Sequence, residues 1–432
     1  MTTRERLEVW FNDNRSVRLV SACVLAIAAV AAIAIAIEKA LTRELDLYVI
    51  LNASRSLLDG SDIYTSPAAN GAYYLYLPLL ASLFIPLALL PHAFAGVLWT
   101  VVCIALIGWS LNGSIKLIAG DSYASLTSLE RLLMHVLPMI FCADAISSEV
   151  GNAQVNCLIL ALAVLALKLA RSGRENPAGV LLGFAAIAKV FTAPLLLHEL
   201  LAKRFRIIAG SLLAAIVGMF LPALVTGWER NLEYVTCWTT HIALYNDLTT
   251  HRSGFAGNAS LTAVLTRLLT DVPAFNWNGA DYHLNIAALD PGVLGYLGIA
   301  TAVAAMALVA IYWAAFRNRS TFISYWGGAA VAFCVAPLIT PVAERPHFLM
   351  LLPAYVYVSW LCLGKNVPSR VFYALLAAAF VLSTFTLKLY VGSFLGSVFW
   401  SLGASTLADL CLIAAIFVAA RCQNSRDLTD AG

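Results

Sequence analysis

Acidic side chains cluster in the stretch ALTRELDLYVILNASRSLLDGSDIY, positions 40–64, directly after the first long apolar run. Glu44 and Asp46 come first in this stretch. A carboxylate held at the face of a membrane can act as a general base that removes a proton from a hydroxyl group. An amphipathic run follows the two acids and is expected to lie on the bilayer surface, which would hold Asp46 at the level of the lipid headgroups. The apolar positions of that run are Leu47, Ile50, Leu51, Leu57 and Leu58.

A second polar group lies in DAISSEVGNAQVN, positions 144–156. Glu149 precedes a helix-breaking glycine, and Gln154 and Asn156 offer amide donors and acceptors just before the next apolar segment. Polar groups at this depth cost free energy unless they are paired or do chemistry. The pattern therefore indicates either binding of a sugar or phosphate, or helix capping and hydrogen bonds between helices.

A single cation, Lys189, interrupts the apolar segment AIAKVFTAPLL. An ammonium group in such a segment needs a carboxylate, a phosphate or a water-filled cavity. A bound phosphate and an ion pair with Asp144 or Glu149 are equally consistent with the pattern.

The stretch HRSGFAGNASLTAVLTRLL, positions 251–269, combines polar and amphipathic features. His251 and Arg252 suit a phosphate or a sugar, and Asn258 is a further candidate for binding in the same stretch. The end of the stretch has apolar residues at helical spacing, which predicts a helix lying on the surface. Aromatic residues around it supply flat faces for sugar rings or anchors at a membrane interface. They are Trp238, Tyr245, Phe255, Phe275, Trp277 and Tyr282.

The stretch TPVAERPHF, positions 340–348, places Glu344, Arg345 and His347 between two apolar segments. So dense a cluster in so short a loop favours a functional site over simple solvation.

Composition defines the elements that must position these residues. The chain has 432 residues, of which 61% are hydrophobic and 12% are charged, whereas a soluble domain is about 25% charged. Several apolar runs reach roughly 20 residues, the length that crosses a bilayer as a helix. We therefore predict an all-α, polytopic integral membrane protein that forms a single domain over 1–432, with about 10–12 membrane helices that include short broken or re-entrant ones. The predicted segments are 17–37, 72–91, 95–117, 130–149, 153–170, 178–202, 207–227, 291–316, 319–338, 347–364, 371–392 and 396–420.

Short basic links between these segments predict the sidedness, because Lys and Arg are enriched in cytoplasmic loops. Both termini are then cytoplasmic, and the first loop, 38–71, and the long loop, 228–290, lie outside. Basic links flank 178–202 on both sides, so we expect this segment to enter the membrane and return as two short helices broken near Lys189. The chain must then cross the membrane an odd number of times between the first outer loop and the next cytoplasmic link, but the number of segments between them is even. One segment therefore does not cross, and we expect it to be 72–91, which is rich in proline and would be re-entrant or interfacial.

Nine cysteines are scattered through the chain without a CxxC motif or a cluster with histidine. This spacing indicates neither a zinc site nor a disulfide framework. The sequence points to no definite cofactor and to no metal-binding residue, and it leaves a divalent metal ion open. Nothing in the pattern suggests a nucleic acid as a partner.

The order of these motifs resembles a GT-C-fold enzyme of glycosyltransferase family 87. The similar segments are DLYVILNASRSLLDGSDIY with YLYLPLLASLFIPLALLP, then GNAQVNCLILALAVLALKLARSGRENPAGVLLGFAAIAKVFTAPLLL, and finally GNASLTAVLTRLL with ITPVAERPHFLMLLPAYVY. The chain departs from the family in that Asn152 and Ala153 separate Gly151 from Gln154, and in that the usual pair of histidines is reduced to His347.

The resemblance implies an inverting transfer of a hexose, with mannose the first candidate, from a polyprenyl-phosphate sugar to a lipid or glycan acceptor of the cell envelope. It places the protein in the plasma (inner) membrane with its active site facing outside. It makes Asp46 the general base, with Glu44 tuning the neighbouring charge. The residues that it suggests for binding the phosphate or sugar of the donor are Lys189, Arg345, Arg252, His347, Gln154, Asn156 and Asn258.

Other classes of protein fit parts of the same pattern. A transporter or flippase of lipid-linked sugars would also have broken helices and a buried cation, but it predicts two similar halves, and no internal repeat is visible. An O-antigen ligase or polymerase would use similar donors. A non-catalytic membrane scaffold would leave the buried polar groups unexplained.

Overall fold

The computed structural model describes residues 45–69, 71–243, 257–290, 294–363 and 369–427, together with a few positions between 30 and 42. Most of the first predicted membrane segment, 17–37, lies outside the described residues.

Helices make up most of the described chain. The α-helices are Leu47–Asp59 (α1), Pro78–Leu83 (α2), Ile85–Ala88 (α3), His92–Ala119 (α4), Ser128–Phe141 (α5), Ala143–Gly151 (α6), Asn156–Arg171 (α7), Glu175–Ala188 (α8), Ala193–Leu201 (α9), Phe205–Phe220 (α10), Ala223–Thr226 (α11), Trp228–Cys237 (α12), Leu261–Leu269 (α13), Leu294–Phe316 (α14), Gly328–Leu338 (α15), Leu352–Leu363 (α16), Arg370–Thr384 (α17), Lys388–Ser401 (α18) and Ala404–Asp427 (α19). The 3-10 helices are Gly120–Ser125, Val190–Thr192 and Arg345–Leu351, and the π-helices are Trp238–Ala243 and Phe322–Gly327.

The predicted all-α polytopic class is confirmed. Among the described residues, five helices are long and apolar enough to cross a membrane, and the number rises to seven if each of two bent pairs counts as one span. Three further apolar helices, Glu175–Ala188, Val190–Leu201 and Phe322–Leu338, are shorter.

The segment 178–202 is broken at Lys189, as the sequence predicts. Lys189 is extended, with φ −152° and ψ 131°, between α8 and the short helices that follow it. Gly179 and Gly183 on α8 face Ile207 and Ser211 on α10 in the same order, so α8 and α10 run parallel. The chain must therefore reverse direction along α9, and the segment enters and returns.

Several predicted boundaries were wrong. The segment 130–149 divides at Cys142 into α5 and α6, and α6 bends by 120° from α7. The segment 396–420 begins inside α18, which is bent by 88° from α17 and ends before α19 begins. Gly392 and Gly403 have φ values of 80° and 74°, and this left-handed backbone ends or bends a helix at low cost only for glycine.

The region 72–91 contains only α2 and α3, of six and four residues. Each has a proline in its first turn. At 1.5 Å per residue neither helix is long enough to cross a bilayer, which agrees with the expectation that this region does not span.

The helix after Asp46 packs into the protein and does not lie on the bilayer surface, so that expectation was wrong for most of its apolar side chains. Leu47 and Leu51 are 0% exposed, whereas Leu58 is 48% exposed. Arg55 donates hydrogen bonds to the carbonyl oxygens of Ala88 and Leu90 at the end of α3. The amphipathic pattern was read correctly, but its apolar face covers the protein core.

The long loop contains the predicted helix, α13, which begins at a Ser260 side-chain cap. More than half of its residues are buried, so the helix packs into the protein, and the expectation that it lies on the surface was wrong. The loop also contains a two-stranded antiparallel hairpin that was not predicted, Phe275–Trp277 (β1) and Ala280–Tyr282 (β2). Asn278 and Gly279 form its turn with φ values of 51° and 83°. Asn-Gly between apolar residues is a strong hairpin signal, so the sequence carried the information.

The helices bring the polar groups together at two ends of the bundle. At one end Arg171 donates to the carbonyl oxygens of Lys116 and Leu117, and Arg204 stacks 4.5 Å from the ring of Tyr325; we call this the basic end. The opposite end, which we call the site end, contains Gln154, Lys189 and the loop 340–347. Helix α7 has 16 residues and connects the two ends, which corresponds to about 24 Å.

The contact between α8 and α10 predicts a sharp difference between two glycines. A methyl group on Gly183 would overlap the backbone of Ser211, whereas one on Gly108 in α4 meets nothing within 4 Å. We expect Gly183→Ala to destabilise the protein by about 1–3 kcal/mol through overpacking, and Gly108→Ala to stabilise it by up to about 1 kcal/mol through helix propensity. The midpoint of thermal unfolding in detergent measures both. Equal shifts for the two variants would contradict the close approach of the helices.

Candidate active site

The Asp46 carboxylate is held by the turn between α6 and α7. Its Oδ2 accepts a hydrogen bond of 2.6 Å from Nε2 of Gln154, and its backbone N–H donates to the carbonyl of Asn152 at 3.1 Å. Asp46 is partly exposed, whereas Gln154 is buried. Two contacts from one turn therefore set both the position and the orientation of the carboxylate.

This turn has a conformation that few side chains adopt. Ala153 has a positive φ of 49°, which is uncommon for a residue with a Cβ atom. The carbonyl of Gln154 accepts a hydrogen bond of 2.9 Å from the indole N–H of Trp99. Backbone strain of this kind persists only where the surroundings enforce it, and it often marks functional sites.

A buried chain of hydrogen bonds runs from a carboxylate to an ammonium group. Asn156 Nδ2 donates to Oε2 of Glu149 at 2.8 Å, and Asn156 Oδ1 accepts from Nζ of Lys189 at 2.8 Å. Glu149 and Asn156 are 0% exposed and Lys189 is 6% exposed. The amide links the two charges, so Lys189 is coupled to Glu149 without a direct ion pair. The binding and capping readings of Asn156 are both compatible with this geometry.

Aromatic rings surround the Lys189 ammonium. Its Nζ lies 5.0 Å from the ring centroid of Tyr76 and 5.6 Å from that of Phe191. The Phe191 ring meets the ring of His347 edge to face at 4.9 Å. Lys189 and His347, which are distant in sequence, therefore both lie beside the ring of Phe191.

The loop after Thr340 positions His347 and Arg345. His347 Nδ1 accepts a hydrogen bond of 3.0 Å from the backbone N–H of Glu344, so the neutral imidazole carries its proton on Nε2. Arg345 pairs with Asp144 at 3.4 Å, and its guanidinium carbon lies 3.4 Å from the ring centroid of Trp400. Arg345 is thus close to α6 but already has a carboxylate partner.

Asn258 connects the long loop to this region. Its Nδ2 donates to the carbonyl of Pro341, and its Oδ1 accepts from the backbone N–H groups of Ser260 and Ala343. Asn258 is 0% exposed, so these contacts shape the loop, and its predicted role in sugar binding stays a prediction.

Arg267 on α13 supports the same loop. It donates to the carbonyl oxygens of Asn258 and Ser401, and burial lowers its pKa to about 10. Because this pKa is well above neutrality, the guanidinium remains charged near pH 7.

Glu44 and Arg252 lie outside the described residues, so the structure does not report on their predicted roles.

One group of possible metal ligands occurs among the described residues. Cys103, Glu149 and Cys157 each place a ligand atom within 4.8 Å of the other two. Sequence reasoning missed this group because Cys103 is distant in the chain from Glu149 and Cys157. Both Glu149 oxygens already accept hydrogen bonds, from Asn156 and from the backbone N–H of Cys157, and Cys103 and Cys157 approach the carbonyl of Gln154 at 3.4 and 3.8 Å. These polar atoms therefore have partners within the protein.

The fold and the site together define a polytopic helical membrane protein with a buried centre of carboxylate, amide and ammonium groups at one end. A sequence model of glycosyltransferase family 87 matches residues 74–341, which is more than half of the chain. The chain therefore belongs to glycosyltransferase family 87, and it is a glycosyltransferase. No curated protein and no solved structure gave a match.

The match confirms the resemblance that the motifs carried, and it favours a transferase over a transporter of lipid-linked sugars. The matched range contains Gln154, Asn156, Lys189 and Asn258. It begins after Asp46 and ends before Arg345 and His347, so the roles of those residues rest on their own geometry.

Proposed function

We propose that the protein transfers a hexose, with mannose the first candidate, from a polyprenyl-phosphate sugar to a lipid or glycan acceptor, with inversion at the anomeric carbon. The GT-C architecture suggested by the motifs is part of this proposal. The observation that carries it is the hydrogen bond from Gln154 to the carboxylate of Asp46, in a site whose neighbouring polar residues lead to a buried Lys189.

In the proposed reaction, Asp46 accepts the proton of the acceptor hydroxyl. The hydroxyl oxygen attacks the anomeric carbon on the face opposite the phosphate, and the bond between that carbon and the phosphate oxygen breaks. The electron pair leaves with the polyprenyl phosphate, and the new glycosidic bond has inverted configuration. Gln154 holds one carboxylate oxygen in place, and Asp46 can act as the base when the acceptor hydroxyl comes within hydrogen-bond reach of the carboxylate.

Lys189 is the group that we assign to the donor phosphate. A lysine ammonium acts on a phosphate as a point charge, and a fixed charge in a site of low dielectric stabilises negative charge on a leaving group strongly. The bridge through Asn156 to Glu149 keeps the ammonium in place while leaving its other hydrogens for a ligand. His347 can add a donor through Nε2, whereas a phosphate role for Arg345 would have to compete with Asp144.

The proposed orientation follows from the basic end. Cytoplasmic loops are enriched in Lys and Arg, so the end with Arg171 and Arg204 would face the cytoplasm together with both termini. The site end would then face outward from the plasma membrane, where a lipid-linked donor and an envelope acceptor can meet.

Labelling of introduced cysteines tests this orientation. Ser61 and Ala280 are exposed at the site end, and Ser172 is exposed at the basic end. In a background without native cysteines, an impermeant maleimide added to intact cells should label Ser61→Cys and Ala280→Cys but not Ser172→Cys until the cells are opened. Labelling of Ser172→Cys alone in intact cells would reverse the orientation.

The general base is tested by Asp46→Asn, which keeps the shape of the side chain and removes its basicity. We expect turnover with a polyprenyl-phosphate-mannose donor to fall by about 10²–10⁴-fold while donor binding persists. Transfer is measured by mass spectrometry of the products at matched expression.

The matched control is Asp59→Asn, because Asp59 is exposed and accepts its hydrogen bonds from Ser61 in a turn. We expect Asp59→Asn to transfer at nearly the rate of the unmodified protein. If the base is a residue other than Asp46, Asp46→Asn should also keep that rate. Near-normal turnover of Asp46→Asn therefore rules out Asp46 as the base. If Glu44→Gln is the inactive variant, the base moves to Glu44 and the mechanism is kept.

The phosphate role is tested by Lys189→Met, which retains the length of the side chain and removes its charge. A charge-assisted hydrogen bond contributes about 1.5–3 kcal/mol, so donor binding should weaken by about 10–100-fold, as measured by titration of the donor lipid into protein in nanodiscs. Lys116→Met, at the basic end, is the control. Unchanged donor affinity for Lys189→Met would leave Lys189 as a structural partner of Asn156 only.

A further inference from the structure

Two buried thiols lie beside Glu149, next to the turn that holds Asp46. Cys103 belongs to α4 and Cys157 to the first turn of α7, and both are 0% exposed, as is Glu149. The two sulfur atoms and a carboxylate oxygen of Glu149 all lie within 4.8 Å of one another. Three groups that can bind a metal ion therefore converge from three helices on one point.

The backbone carbonyl oxygen of Gln154 is a fourth possible ligand at this point. The sulfur atoms of Cys103 and Cys157 lie 3.4 and 3.8 Å from it. A tetrahedral zinc ion has Zn–S bonds of about 2.3 Å and Zn–O bonds of about 2.0–2.2 Å, which separate its sulfur and oxygen ligands by about 3.6 Å. The two observed distances lie on either side of that value, so the spacing suits one ion bound by two sulfur and two oxygen atoms.

The hydrogen bonds of these atoms are compatible with a bound metal ion. Each carboxylate oxygen of Glu149 accepts one hydrogen bond, from Asn156 or from the backbone N–H of Cys157, and the carbonyl of Gln154 accepts one from the indole of Trp99. Such an oxygen has a second lone pair. The protons that would have to leave are those of the two thiols, because cysteine binds metals as the thiolate. The partners that remain would orient the ligands, as the neighbours of metal ligands commonly do.

The balance of charge selects a divalent cation. When one divalent ion replaces two thiol protons, the net charge of the buried group does not change. A monovalent ion would leave one negative charge unbalanced in a buried place, which is costly. Thiolate ligands favour zinc over magnesium and calcium, which prefer oxygen ligands.

A second buried acid lacks this arrangement of ligands. Asp409 on α19 is 1% exposed, and neither of its carboxylate oxygens has a nitrogen or oxygen partner among the described residues. The thiol of Cys334 lies beside it and is 0% exposed. One thiol and one carboxylate do not supply the four ligands that a structural zinc ion takes. Cys334 is therefore a matched control for the thiols beside Glu149.

We propose that Cys103, Cys157, Glu149 and the carbonyl of Gln154 bind a structural zinc ion, and that two thiol protons are released to solvent when the ion is bound. A buried site that is closed by four protein ligands is typical of structural zinc. The inference goes beyond the proposed glycosyl transfer and does not depend on it, because zinc is measured without any substrate.

The ion would stabilise the turn between α6 and α7. This turn contains Ala153, whose φ is positive, and both Asn152 and Gln154 hold Asp46. A metal ion that joins the turn to α4 would supply part of the constraint that such a backbone conformation needs. The helices also make extensive apolar contacts, so we expect a protein without the ion to insert into the membrane but to unfold at a lower temperature.

The zinc content of the full-length protein tests the site. The protein is purified in detergent without chelators, and zinc is measured by inductively coupled plasma mass spectrometry on the monodisperse fraction. We expect about one zinc ion per chain and loss of this zinc in Cys103→Ala and in Cys157→Ala. Cys334→Ala removes a thiol of the same burial and should keep the zinc.

Two further measurements use the unmodified protein, so they do not depend on the folding of a variant. Protein produced with Co²⁺ in place of zinc should show charge-transfer absorption from thiolate to cobalt and the strong visible bands of tetrahedral cobalt. Alkylation in denaturant with a chelator, followed by mass spectrometry, should find Cys103 and Cys157 as free thiols. The proposal is wrong if the unmodified protein contains no zinc, or if Cys103→Ala contains as much as the unmodified protein. A disulfide bond between Cys103 and Cys157 would also overturn it, because the oxidised sulfur atoms are no longer thiolates.

Discussion

The buried connection from Glu149 through Asn156 to Lys189 constrains the whole site end. Charges in an apolar interior are costly unless they are paired and hydrogen-bonded. A single amide satisfies both charges here, because Asn156 donates to the carboxylate and accepts from the ammonium. The first turn of α7, the end of α6 and the break after α8 must therefore meet at one point. Since Gln154 belongs to the same turn, this meeting point also fixes the place of Asp46.

Polar side chains around the site also supply hydrogen-bond partners for the backbone groups at the helix breaks. Irregular backbone at membrane depth is tolerated only where protein or a cavity supplies partners. Glu149 accepts the backbone N–H of Cys157 at the start of α7, and Thr192 donates to the carbonyl of Leu182 near the break at Lys189. Polar side chains next to the proposed reacting groups thus also allow the helices to break. Loss of one such side chain should affect both the fold and the chemistry, which is why the proposed tests separate binding from turnover.

Helix α6 divides the polar residues of the site end into two groups. Glu149, near its end, is linked to Lys189, and Asp144, near its start, is paired with Arg345. The two acids are therefore served by different cations. The group around Lys189 thus contains a buried cation, whereas the region beside Asp409 carries two carboxylates, Asp144 and Asp409.

The sequence by itself determined the class of the protein and the kinds of residues at the site. Apolar runs of membrane-spanning length define the helices. Basic links on both sides of 178–202 required this segment to return to the side on which it began, which predicted the break near Lys189. Both predictions are possible from the sequence because the cost of placing charge in a bilayer is local. The hairpin at Asn278-Gly279 was equally readable, although it was overlooked. Asp409 was missed in the same way, since an acid inside an apolar run is itself a signal.

Only the tertiary structure decided which of these residues meet. Gln154 and Asp46 are 108 positions apart, and no local preference links them. The sequence allows the apolar face of α1 to contact either lipid or protein. In the structure this face packs against protein, because α1 contacts α2 and α3. The absence of a strong donor beside Asp409 among the described residues likewise appears only when its neighbours are in place. Short-range propensities act within one helix. Contacts such as these depend instead on how closely several helices approach one another. Small residues such as Gly179 and Gly183 set that distance where two helices meet.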